Sequence, residues 1–206
     1  MEVRGYVLAG GRSRRFGGDK SRVMIDGRRA LDRQIDIVAA ACSGSVTVIG
    51  VHDRLDTNGV EVIPDRSGRQ GPLDGLVTAL HHAGNSPFAL VVAVDLWNLT
   101  PLHLNLLIDV FRSPVSGAET DVAFLRSDAD EQPLAAVWRV DESRLVLQAA
   151  FDAGERSVVR AWAALRRAPV TVPMAALANV NTAHDFELWQ AARAWLDDVA
   201  SPEVSS

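Results

Sequence analysis

Cysteine is almost missing from this chain. Its 206 residues include one, Cys42, so no intramolecular disulfide can form, and a reducing compartment suits the sequence. Cys42 ends an apolar helical run and reads as a small core residue rather than a nucleophile. Long apolar runs are lacking too: none approaches the ~20 residues of a membrane span. Met1–Leu8 leads straight into glycines and does not read as a signal peptide, so the expected location is the cytoplasm. There is no excess of positive charge. The net charge of −5 argues against a general nucleic-acid binder. His52, His81, His82, His103 and His184 show no zinc-ligand spacing, and the pair His81–His82 near a helix end reads as a surface feature. The nucleophile elbow Gly-x-Ser-x-Gly is absent. So are the Walker A triplet and the Gly-x-Gly-x-x-Gly fingerprint.

What remains is an ordinary globular composition, 48% hydrophobic and 23% charged, in a chain long enough to bury a sizeable core. Strand and helix patterns alternate. Strands are expected at Val3–Leu8, Ser45–Val51, Val60–Ile63, Phe88–Val94, Val122–Leu125, Leu134–Trp138 and Pro169–Val172. Helices are expected at Ala30–Ala41, Leu73–Ala83, Pro101–Phe111, Glu142–Phe151, Val158–Leu165 and Ala183–Leu196. Thr100 and Pro101 supply a helix start. Phe88–Val94 is the most apolar strand, and its lack of alternation fits burial on both faces of a parallel sheet. This order predicts an α/β fold with a doubly wound, mostly parallel sheet. One domain is expected over residues 1–197, followed by a disordered tail at 198–206.

Ligands of such sheets bind beyond the carboxyl ends of the strands, which directs attention to the loops after Leu8, Ile63 and Val94. The first reads Gly10-Gly11-Arg12-Ser13-Arg14-Arg15-Phe16-Gly17-Gly18-Asp19-Lys20. Its glycines let backbone N–H groups approach a ligand, and its arginines and lysine neutralise phosphate charge. An arginine-rich run alone is often a solvated basic loop; glycines flanking the cations directly after a buried strand favour phosphate binding. In the second, Asp65 follows Val62-Ile63-Pro64, and Gln70-Gly71-Pro72-Leu73-Asp74-Gly75 opens a helix. In the third, Asp95 ends the most buried strand, a placement that suits a hard oxygen ligand for Mg²⁺. Either aspartate is otherwise a turn or strand-end residue.

The stretch Leu8-Ala9-Gly10-Gly11-x-Ser13-x-Arg15-Phe16-Gly17-x-Asp19-Lys20 resembles the signature of the MobA-like nucleotidyltransferases, a molybdenum cofactor guanylyltransferase family. The resemblance continues to about Phe186. Gly71-Pro72-Leu73-x-Gly75 is similar to the family's GPLAG motif beside the purine base, with Asp74 in place of a small residue. Asp95 matches its magnesium aspartate, although Trp97 and Asn98 replace the residues that usually follow and would reshape the acceptor side of the cleft. Gln132-Pro133-Leu134 resembles its Q-P-L strand, and Gly154-Glu155-Arg156-Ser157 its Gly-x-x-Ser helix start. Asn179-Val180-Asn181-Thr182 resembles its closing motif, with Ala183 for proline.

The family resemblance implies a three-layer α/β/α Rossmann-like nucleotidyltransferase that moves GMP from Mg·GTP to the terminal phosphate of molybdopterin, releasing pyrophosphate. Leu8, Ala9, Gly10, Gly11, Ser13, Lys20, Asp65, Gly71, Pro72, Leu73, Gly75 and Asp95 would hold the nucleotide. Arg15, Lys20 and Asp95 would carry catalysis, and Asn179 and Asn181 would line the acceptor side. Molybdenum-insertion proteins or molybdoenzymes would receive the product. Cytidylyl or sugar-phosphate nucleotidyl transfer on the same fold, and a nucleotide-binding module without catalysis, are the competing readings.

Overall fold

The computed structural model describes residues 1–10, 20–42, 45–50, 57–68, 70–180, 182 and 184–191. The expected tail at 198–206 and the end of the last expected helix lie outside them. In chain order the elements are β1 (Val3–Leu8), β2 (Met24–Ile25), β3 (Arg28–Arg29), α1 (Ala30–Ala41), β4 (Val46–Ile49) and β5 (Glu61–Ile63). Then come α2 (Pro72–Ala83), β6 (Phe88–Ala93), α3 (Pro101–Arg112), α4 (Pro114–Ala118), β7 (Val122–Arg126) and β8 (Glu131–Arg139). α5 (Val140–Asp152), α6 (Val158–Ala161) and β9 (Arg167–Thr171) follow, and residues 184–191 are helical.

Seven of these strands form one sheet in the order β5-β4-β1-β6-β8-β7-β9. β1 pairs in parallel with β4 on one side and β6 on the other, so the direction of winding reverses at β1. β8 alone among them runs against its neighbours β6 and β7. The link from Arg126 to Glu131 is too short for a crossover, and only an antiparallel return fits it. Between Phe124 and Leu125 the β7–β8 register jumps from Ala136 to Gln132. The irregularity takes in Pro133, which has no N–H to give a ladder.

The two faces of the sheet carry separate apolar layers. Leu31, Ile35 and Val38 of α1 and Leu104, Leu107 and Ile108 of α3 pack on Val7, Val48, Leu90 and Val92. On the other face, Leu73, Leu76 and Leu80 of α2, Leu147 and Phe151 of α5, and Val158 of α6 cover Tyr6, Leu8, Val91, Phe124 and Trp138. The helical spacing of these positions against strand residues of alternating side produces a three-layer α/β/α fold. Pro101 does stand at the first position of α3, where the Thr100 N–H donates to His103 Nδ1 at 3.2 Å.

Two local expectations, the single helix at Val158–Leu165 and the surface histidine pair, need correcting, and one hairpin was not anticipated. The β2–β3 hairpin turns through Asp26 (φ 50°) and Gly27 (φ 74°), the left-handed pair of a type I′ turn. The expected helix at Val158–Leu165 is α6 followed by a 3₁₀ turn at Trp162–Ala164. The histidine pair is half-buried and engaged: His81 Nε2 lies 2.8 Å from Gln148 Oε1 of α5, and His82 Nδ1 lies 3.3 Å from the Tyr6 hydroxyl of β1. Cys42 is buried, and burial pushes its thiol up to about 12, which removes it as a nucleophile at neutral pH.

Candidate active site

The parallel ladder continues one residue past its strands and aligns their exits. Ala9 N–H donates to Ile49 O (2.9 Å), Gly50 N–H to Ile63 O (2.9 Å) and Val94 N–H to Leu8 O (3.1 Å). Gly10, Gly50, Asp65 and Asp95 therefore stand along one edge, where the winding reverses between β1 and β6. Open α/β sheets bind their ligands at such a point.

Asp65 is buried at 8% exposure, and glycines make room for its carboxylate. A Cβ built on Gly10 would lie 3.0 Å from Asp65 Oδ2, one on Gly50 3.1 Å from the same atom, and one on Gly75 3.3 Å from Oδ1. Gly50 is also at φ +93°, and a Cβ there would come within 2.6 Å of Gly10 Cα. Only glycine permits that approach of two backbones. The start of the loop after β1 is thus fixed against β4, with Asp65 wedged beside it.

The loop between Asp65 and α2 is organised by Asp74. This side chain is 1% exposed and accepts from the Ser67 N–H (3.3 Å) and the Gln70 N–H (3.1 Å). Its charge is absorbed by loop amides rather than offered to a base, so the departure at this position has a structural cause. Gly71 precedes α2 at φ 103°, with Pro72 at the first position. Leu73 is fully buried and Gly75 sits inside the helix start, so Leu73 has only its backbone to offer a ligand. Across the cleft, Arg156 Nη2 donates to Gln70 Oε1 at 2.6 Å, and its Nη1 to the carbonyls of Phe151 (2.9 Å) and Glu155 (2.7 Å). That side chain ties the turn before α6 to the loop before α2. Glu155 accepts in turn from Ser157 N–H and Arg160, which hold its carboxyl down at about 2.

Asp95 is partly exposed in the turn after β6. Gln34 of α1, 1% exposed, donates from Nε2 to the carbonyls of Ala93 (3.1 Å) and Leu96 (3.0 Å), on either side of it. Trp97 Nε1 donates to Val94 O at 2.9 Å. Trp97 is 3% exposed and packs with Ile25, Ala30, Val180 and Trp189, so it does not line the acceptor side. Asn98 spans to the C-terminal segment, donating to Ala175 O (2.8 Å) and accepting from Trp189 Nε1 (2.7 Å). The pair Trp97–Asn98 therefore docks the terminal helical segment. Val180 N–H donates to Asp95 O at 3.4 Å, which brings half-buried Asn179 to the Asp95 turn. Thr182 caps the helical segment by exchanging bonds with Asp185, at 2.8 and 3.0 Å.

Gly11, Ser13, Arg15 and Asn181 lie outside the described residues, as do Arg12, Arg14 and Ala183. Lys20 begins a short 3₁₀ turn, Lys20–Arg22, packed against α1. Among the described residues no three His, Cys, Asp or Glu side chains gather as a metal cage. A partly exposed carboxylate at a strand end fits the way Mg²⁺ binds, through one or two carboxylates with phosphate oxygens and water. Pattern reading did not single out Gln34, Arg156 or the bracing role of Asp74. Gln34 acts on backbone carbonyls, and Arg156 on a side chain, remote in sequence, and no spacing rule reports that.

Fold and edge together define a nucleotide-binding α/β protein with a carboxylate beside a glycine-lined strand exit. The chain belongs to the family of the MobA-like NTP transferase domain, whose profile matches residues 5–169. It is 31% identical over 202 residues to a probable molybdenum cofactor guanylyltransferase of Chloroflexus aggregans, covering 93% of this chain and 95% of that one. It is 33% identical to the molybdenum cofactor guanylyltransferase of Rhizobium meliloti, covering 92% and 90%. Among solved structures it matches molybdopterin-guanine dinucleotide biosynthesis protein A of Archaeoglobus fulgidus with a TM-score of 0.75, at 20% identity over 93% of this chain and 98% of that one. A Mycobacterium tuberculosis protein solved as a manganese complex matches at a TM-score of 0.64 and 18% identity, over 91% of this chain and 97% of that one. The expected fold class and family are borne out.

Proposed function

We propose that the protein transfers GMP from GTP to the terminal phosphate of molybdopterin or the molybdenum cofactor, releasing pyrophosphate, in the cytoplasm. The observation that carries this reading is the pair of relatives bearing that guanylyltransferase name, matched over nine-tenths of both chains. An acceptor phosphate oxygen attacks the α-phosphorus of GTP. The new P–O–P bond forms as the bond to pyrophosphate breaks, and pyrophosphate leaves with its negative charge. A phosphate monoester is already anionic at neutral pH, so no strong general base is needed. The protein's part is positioning and charge neutralisation.

Residues are assigned by their match to the family signature and by their place in the fold. Backbone groups of Leu8, Ala9, Gly10, Gly11 and Ser13 cradle the triphosphate. Arg15 and Lys20 neutralise charge on the α-phosphate and the leaving pyrophosphate. Gly71, Pro72, Leu73 and Gly75 shape the base side, and Asp65 braces Gly10 and orients the nucleoside. Asp95 would hold a divalent cation, Mg²⁺ by family resemblance, and such an ion would supply charge neutralisation to the triphosphate. Asn179 and Asn181 line the acceptor side.

Pyrophosphate release measured with each of the four nucleoside triphosphates, with and without molybdopterin, is the direct test. GTP-specific, acceptor-dependent release is expected. Release with CTP or with a sugar phosphate would overturn the guanylyl assignment, and tight GTP binding without release would overturn catalysis.

A further inference from the structure

Arg126 is the last residue of β7, at the carboxyl edge of the sheet. Side chains alternate along the strand, and Val122 and Phe124 face the layer of α2, α5 and α6, so Arg126 faces it too. Leu8 and Val91, on the strands that carry the phosphate loop and Asp95, face the same layer. β7 lies two strands from β6, a separation of about 10 Å at the spacing of paired strands. Trp162 packs on Phe124 with ring centroids 4.7 Å apart, and α6 begins just before it, at the turn that meets Gly71. Arg126 is thus on the cleft side of the apolar layer.

Among the described residues its guanidinium has no partner. Arg126 is half-buried, its Nε is sealed from water, and neither a hydrogen bond nor an ion pair is made from it among the described residues. The other half-buried arginines differ. Arg29 binds Asp32, Arg33 binds Asp26, Arg144 binds Asp141, Arg139 binds the carbonyls of Thr120 and Gly117, and Arg156 binds two carbonyls and Gln70. Glu131 of β8 is paired directly with Arg126, yet its carboxylate goes to Arg167 at 3.3 Å. A partly desolvated cation without an anion is unfavourable in the free protein. It is well prepared for a planar, two-point contact with phosphate oxygens.

We propose that Arg126 is a binding residue for the acceptor, gripping its terminal phosphate from the β7 side while the nucleotide occupies the β1 side. This rests on the guanylyl transfer argued above. Arg126 supplies the acceptor subsite with a fixed positive charge, and the antiparallel β8, which carries Gln132-Pro133-Leu134, lies between it and Asp95.

The experiment compares the wild type with Arg126→Met and Arg126→Lys, using GTP, magnesium and molybdopterin. Three quantities are read: KM for the acceptor, GTP affinity by calorimetry, and thermal stability. For Arg126→Met the acceptor KM is expected to rise about tenfold or more, the worth of a charge-assisted contact. GTP affinity should stay unchanged and Tm should hold or rise, because an orphaned buried donor has gone. Arg126→Lys should recover part of the KM. An unchanged acceptor KM in Arg126→Met, a parallel loss of GTP affinity, or a lowered Tm with acceptor KM intact overturns the role of Arg126 alone. No acceptor-dependent pyrophosphate release by the wild type overturns the functional reading itself, and this role with it.

Discussion

Gln34 sits in the middle of α1, far in sequence from the turn it holds. Its amide spans the carbonyls of Ala93 and Leu96, so the backbone around Asp95 is fixed from the side. Gln34→Leu keeps the volume and removes both bonds; the Ala93 carbonyl loses this donor and the Leu96 carbonyl keeps the Leu99 N–H at 3.3 Å. A loss of about 1–3 kcal/mol is expected, read from urea unfolding. Because the turn loosens, kcat should fall and more magnesium should be needed for half activity. Lys20→Ala and Asp95→Ala act differently: turnover should drop by about a hundredfold or more, the range seen when a positioned charge is lost, while circular dichroism and Tm stay near wild type. Full magnesium-dependent activity in Asp95→Ala would remove Asp95 from the metal site. Asp74 and Trp97 carry a further lesson at this scale. Each departs from the family pattern or its usual neighbours, and each proves to be buried and bonded to backbone rather than turned to a ligand.

At the scale of elements, the far edge of the sheet is pinned by an ion pair. Asp121, just before β7, accepts from the Arg166 backbone N–H at 2.9 Å and from its guanidinium. These bonds hold the Asp121 carboxyl below the usual carboxylate range. The charged form is therefore favoured by folding. Its contribution to stability is fully present above the unfolded pKa, near about 4, and is lost as pH falls through the lower folded value. Asp121→Asn should lower Tm at pH 7 and flatten the dependence of Tm on pH below about 4. Equal slopes for variant and wild type in a series of melts from pH 2 to 5 (on the order of these values) would assign acid sensitivity elsewhere. β8 was legible as a strand but not as the reversed one. Its hydrophobic pattern does not encode direction; the length of the link from β7 does. The β2–β3 hairpin was not read from the sequence, although Asp26-Gly27 is a strong turn signal, because its strands are only two residues each.

At the scale of the molecule, the cleft is assembled from the exits of β1, β4, β5 and β6 and the turn before α6, so nucleotide binding should stabilise the whole fold. With GTP and magnesium at about 100 times Kd, the gain is about 2.7 kcal/mol. For a chain of this size that is a rise in Tm of about 5–10 °C, measurable by differential scanning fluorimetry. CTP at the same concentration should shift Tm less, and an equal shift would argue against base discrimination in the free enzyme.

By itself, the order of residues settled the class of fold and the direction of the search. Apolar runs at periods of two and 3.6 must bury opposite faces of a sheet, and glycines after a buried strand leave amides for phosphate, so local chemistry was enough. It did not decide how the cleft is braced. That Gln34 grips the Asp95 turn, that Asp65 wedges between three glycines, and that Arg126 meets no anion among the described residues are outcomes of strands and helices meeting across the fold. Hydrogen bonds between residues dozens of positions apart depend on which backbone groups the packing leaves unpaired, and that quantity exists only once the layers have come together.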